Sequence, residues 1–133
     1  MQHIPKILIK PINAENHRYP TCGDYIYDRE DDTLTIFVSR MEDWRSELAV
    51  VVHELFEACA CLHDDVDFTK IDSFDVNYEL ERDKGIHPDD AEPGDDKAAP
   101  YHRQHVGATF VEKEVCHQLE LPWLRHEQIV NES

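Results

Sequence analysis

The run from Ser46 to Leu62 contains neither glycine nor proline, and this most constrains the fold. It reads as one amphipathic helix. At about 100° per residue, Leu48, Val51, Val52, Leu55, Cys59 and Leu62 fall on one broad apolar face that must pack against another element. His53 and Glu57, four residues apart, lie one above the other on a strip flanked by Ala49, Val50 and Ala60. Between such neighbours a carboxylate loses much of its hydration and needs a partner. The two side chains are placed to grip one cation, and Glu54 lies about 100° round the helix from His53, beside the strip.

His53-Glu54-Leu55-Phe56-Glu57 resembles the H-E-x-x-H helix of zincin-type metallopeptidases, with Glu57 where that pattern has its second histidine. The resemblance implies that His53 and Glu57 are metal ligands and that Glu54 is the general base of a metal-dependent hydrolase acting on a peptide or small substrate. The cofactor expected is one divalent transition metal. Zinc comes first, and the carboxylate makes the site harder, which brings manganese and iron into competition.

Further ligands are expected from Pro100-Tyr101-His102-Arg103-Gln104-His105. Proline suits a first helical position, and Tyr101 to Leu119 then lacks proline and carries apolar residues at Tyr101, Ala108, Val111, Val115 and Leu119, stopping before Pro122. His105 falls on the apolar side between Tyr101 and Ala108, Glu112 continues its strip two turns later, and His102 precedes it by three residues. His105 is the expected third ligand and His102 the fourth. Four protein ligands would close the coordination sphere, whereas three would leave a position for water.

The remaining elements predict an α+β fold, with a small antiparallel sheet packed on three main helices in one domain over 1–133; the resemblance makes it zincin-like. Ile4 to Ile12 reads as a strand kept at the edge by Pro5 and Pro11, and Asp24–Asp28 with Thr33–Ser39 as a hairpin. In a minimal zincin an edge strand lies across the site and pairs with an extended substrate. Ser39-Arg40-Met41-Glu42 fits a capping box opening the first helix. Another helix is expected from Asp72 as N-cap to Asp83, with Phe74 and Tyr78 facing the core and Gly85 ending it. The Pro-, Asp- and Gly-rich segment His87 to Ala99 reads as a long loop, a solvated linker in preference to a lid that reshapes the site.

Charge narrows the partners. With 29 acidic against 13 basic residues the net charge is −16, which opposes nucleic acid and anionic membrane. It permits a different role, a metal-stabilised acidic module that binds a basic protein surface as a DNA mimic does. Residues 1–4 show no signal pattern and the longest aliphatic stretch, Ala49 to Val52, is too short to span a bilayer, so a cytoplasmic protein is expected. Cys22, Cys59, Cys61 and Cys116 form no disulfide framework and read as reduced; Cys61 or Cys116 would be the thiolate ligand if one were used.

Cys61-Leu62-His63-Asp64 resembles the His-Asp turn of HD-domain phosphohydrolases, which implies His63 and Asp64 as ligands with His17 upstream. The order of motifs, ending in Glu92-Pro93-Gly94-Asp95-Asp96 and the Pro100–His105 segment, is also similar to small uncharacterised proteins of phages and bacteria.

Overall fold

Strand Thr33–Ser39 (β3) is the most apolar of three strands, with Leu34, Ile36 and Val38 fully buried, and it takes the centre of the sheet. Lys6–Ile12 (β1) and Gly23–Asp28 (β2) flank it, giving the order β1-β3-β2 in a computed structural model that describes residues 3–133. Met1 and Gln2, at the start of the expected domain, lie outside the described residues.

The sheet is mixed, not antiparallel. β2 and β3 form the expected hairpin, Gly23 opposite Val38 and Asp28 opposite Thr33. β1 instead runs parallel to β3, Lys6 beside Thr33 and Ile12 beside Ser39. The physical reason is the demand for apolar cover. β1 carries a proline that cannot donate to a ladder and is largely exposed, so it suits an edge. The segment 13–22 carries the chain across to the other edge, and the hairpin returns β3 between the two.

Trp44–His63 (α1) packs on the sheet through Val50, Val51 and Ala58, against Tyr25, Leu34, Ile36 and Val38. Its N-cap is Asp43, whose side chain accepts the Arg45 N–H at 2.9 Å, so the helix opens later than the Ser39–Glu42 box predicts. Glu47 completes the entry by accepting the Met41 N–H at 2.8 Å. The buried side is also rotated from the expected apolar face. Leu48 is exposed, whereas Ser46, Ala49, His53 and Glu57 are buried. A second helix, His102–Gln118 (α3), covers the side of α1 away from the sheet, and the His53/Glu57 strip lies inside.

Phe68–Asp83 (α2) begins one turn before the expected Asp72, because Asp67 caps it through the Thr69 N–H at 2.9 Å. Tyr78 is buried and Phe74 half-buried. Trp123–Glu132 (α4) makes a fourth helix where three were expected. It buries His126 and Ile129, with Ile129 packing on Ala49, Cys116 and Leu121. A histidine at a core position conceals the apolar period that would have announced this helix. No helix among the described residues is long and apolar enough to cross a membrane.

The acidic segment before α3 is held, not merely solvated. A 3₁₀ turn over Pro93–Asp95 packs on α3 with Gly94 buried, and the Arg82 guanidinium donates to the Ala91 carbonyl.

Candidate metal centre

Glu57 lies at the middle of a buried chain of polar groups. Its Oε1 accepts a hydrogen bond from the Tyr25 hydroxyl at 2.9 Å, which fixes the carboxylate plane. Its Oε2 lies 3.2 Å from His53 Nε2 and 2.9 Å from His105 Nδ1. The three ligand atoms are all within 4.8 Å of one another, and each residue is no more than 7% exposed. The sequence-predicted ligands His53, Glu57 and His105 are therefore together.

The chain continues outward from His53. Its Nδ1 lies 2.7 Å from Glu112 Oε1; Glu112 Oε2 lies 2.6 Å from His126 Nε2; and His126 Nδ1 lies 2.9 Å from the Ser46 hydroxyl. Glu112 thus holds the His53 ring from the side opposite Glu57, and α4 holds Glu112. A carboxylate on the outer nitrogen of a ligating imidazole fixes its tautomer and raises its basicity. Of the approaches to Glu57 Oε2, the 3.2 Å one falls within the separation of about 3.0–3.4 Å that donors take around an ion at about 2.1 Å, and the 2.9 Å one lies just below it.

Without an ion the same groups neutralise one another. Burial alone would lower the His53 imidazole, but its bonds to Glu112 and Glu57 hold it well above the ordinary value. His105 is likewise pulled down by burial and raised, by Glu57 and then Glu92, to about 10. Burial works against the Glu57 carboxylate, yet the two histidines bring it to about 2. Burial also opposes ionisation of Glu112, and its bonds to His126 and His53 lower it.

Glu54, the predicted base, is half-buried and lines the cleft beside the cluster. Burial, then repulsion from Glu57, raises its carboxyl well above the usual range. Gly23 on β2 lets the strand approach it, since a Cβ there would come within 2.8 Å of Glu54 Oε1. The cleft has a volume of about 730 Å³, and Glu54, Glu57, His53 and His105 all reach it.

His102, the expected fourth ligand, is not in the group. Its Nδ1 lies 2.9 Å from the Gly94 carbonyl oxygen, so it ties the Pro93–Asp95 turn to α3. The side chains diverge because His105 enters the α1 interface while His102 remains at its rim. His63 and Asp64 pair at 2.8 Å with the His63 side chain 85% exposed, and no other metal-binding side chain joins them among the described residues. His17 bonds the Ser39 hydroxyl instead. Cys61 and Cys116 are buried in apolar clusters, and neither belongs to a ligand group among the described residues. β2 is an edge strand, but its Tyr25 N–H donates to Asp24 Oδ1 at 2.9 Å, and Asp24 is clamped by Arg18 at 2.7 and 3.0 Å. An added strand would find that donor engaged.

Sequence reasoning missed Tyr25, Ser46 and His126, and noticed Glu112 only as part of a strip. Ser46 had a signal, being seven residues before His53 on the same helix side. Tyr25 had one too, since an inward tyrosine hydroxyl needs a partner. Glu112→Gln is expected to weaken metal binding about 10- to 100-fold in a chelator-competition titration; a change below about threefold would remove Glu112 from this role. No protein-family model, curated protein or solved structure matches this chain, so the meaning of the site rests on its own chemistry.

Proposed function

We propose that this is a metal-binding protein in which His53, Glu57 and His105 hold one divalent transition metal, zinc first, for hydrolysis of a peptide or other small substrate. The observation that carries the reading is the convergence of three buried donors on one point at the cleft, with the outer nitrogen of His53 braced by Glu112. An ion there supplies a Lewis acid and lowers the pKa of water.

The chain's own groups divide the remaining work. Tyr25 orients Glu57, and Glu112 with His126 orients His53. His102 is engaged with Gly94, which leaves three protein ligands, the number used by catalytic zinc sites. Glu54 lines the same cleft and takes the proton from the attacking water. In this reading the H-E-x-x-E helix is a zincin-type helix with a carboxylate as its second ligand.

Glu54→Gln is expected to retain the ion and to lower turnover of a fluorogenic peptide mixture at least 100-fold, a loss within the range general-base catalysis contributes. His53→Ala is expected to lose both. If Glu54→Gln strips the ion as thoroughly as His53→Ala, Glu54 is a ligand and the division of roles is wrong.

A further inference from the structure

The imidazole of His105 has a second nitrogen, which stands beside two carboxylates without a directed hydrogen bond to either. Nε2 belongs to a residue only 5% exposed, and among the described residues no group makes a well-directed hydrogen bond to it. Yet Glu92 Oε2 lies 3.1 Å away and Asp95 Oδ1 3.2 Å away. The two carboxylates lie within ion-pair reach of the nitrogen, yet neither meets the alignment of a hydrogen bond along its N–H axis. Acceptors of an N–H belong on that axis, whereas fellow ligands of an ion belong beside it. The spacings are those of donors around an ion about 2.1–2.2 Å from each.

The backbone is shaped to bring them there. Gly94, between the two carboxylates, lies so close to the imidazole that a Cβ at that position would be 2.4 Å from His105 Cγ. Only glycine lets the turn wrap the ring this tightly. His102 then fastens the same turn through the Gly94 carbonyl.

We propose that Glu92, Asp95 and His105 Nε2 form a second cation seat, at the rim of the cleft. Two carboxylates and one imidazole make it harder than the inner His53/Glu57/His105 set and suit a divalent cation such as Mn²⁺. The exposed carboxylates, Glu92 at 55% and Asp95 at 67%, let an ion arrive directly from solvent. A neutral imidazole has one lone pair, so an ion on Nε2 places the ring proton on Nδ1 and withdraws His105 from the inner set. The outer seat is therefore a competitor that displaces the inner ion. The seat stands on its own geometry; its effect on the inner ion rests on the function proposed above.

The test is titration of the metal-free full-length protein with Mn²⁺ alone, following loss of the free-ion electron paramagnetic resonance signal. Glu92→Gln/Asp95→Asn, both exposed, is expected to keep the native circular dichroism and to bind Mn²⁺ at least tenfold more weakly than wild type. His53→Gln, which breaks only the inner set, is expected to keep Mn²⁺ affinity within threefold. Added Mn²⁺ should weaken Zn²⁺ binding in wild type and not in the double variant. Unchanged Mn²⁺ affinity in Glu92→Gln/Asp95→Asn overturns the outer seat, whether or not His53→Gln folds. Loss of Mn²⁺ from folded His53→Gln places that ion on the inner set and overturns the outer seat as well. Failure of the inner reading has a different signature: Zn²⁺ affinity that does not respond to His53→Gln.

Discussion

Replacing His53 with alanine is expected to abolish the zinc-dependent rise in melting temperature. Zinc at 100 to 1,000 times its dissociation constant stabilises a native protein by about 2.7–4.1 kcal/mol, which for a domain of this size is roughly 10 °C. His53→Ala removes one of three donors and leaves Glu57 and Glu112 each short of a partner. The variant also melts lower than wild type without metal, since breaking a buried pair costs about 3–5 kcal/mol. That second effect is expected of any buried histidine, so the decisive quantity is the shift on adding zinc, read by calorimetry in both proteins. An equal shift in the two would remove His53 from the ligand set.

The second large effect is on pH. Zinc needs neutral imidazole, but in the metal-free protein His53 is raised well above its ordinary value and His105 to about 10, each despite burial, through their carboxylate partners. Zinc binding at pH 7 is therefore expected to release close to two protons, and affinity to climb steeply, up to about 100-fold per pH unit, between pH 6 and 9. Stability of the metal-free cluster follows the opposite course. The raised histidines stabilise the fold fully below about pH 6.5, and that contribution is lost as pH rises through their folded values. Glu57, lowered to about 2, contributes fully above about pH 4.5 and loses its contribution as pH falls towards 2. The metal-free cluster is thus strongest near pH 4.5–6.5, and the zinc-induced gain in stability grows above that window. Calorimetric titration in two buffers of different ionisation enthalpy measures the protons; none released, with affinity flat from pH 6 to 9, would contradict the assignment.

The candidate ligands were legible because they depend on local geometry. The i, i+4 relation of His53 and Glu57 is a property of one helix, and the position of His105 between Tyr101 and Ala108 is a property of another. What supports them is tertiary. His126 reaches Glu112 only because α4 folds back, and α4 itself is masked by a histidine at a core position. The separation of His102 from the other candidate ligands has the same origin. Its ring turns to a carbonyl of a turn whose docking follows from Gly94, in a segment whose composition alone suggests solvation. The sheet order was missed because prolines exclude β1 from the centre without saying beside which strand it lies. The buried face of α1 was misplaced for a related reason. A helix held between a sheet and another helix buries its polar strip as well as its apolar one, and periodicity reports only the apolar one.

The proposed function requires that His53, Glu57 and His105 hold one ion per chain. Mass-spectrometric metal analysis of protein produced without a histidine tag, before and after chelation and zinc repletion, tests it most directly. About one equivalent of a divalent transition metal per chain is expected, removed by chelator together with roughly 10 °C of thermal stability and restored by zinc. Less than about a tenth of an equivalent after repletion, with melting unaffected by chelator, would contradict it and leave a buried ion-pair cluster with no metal.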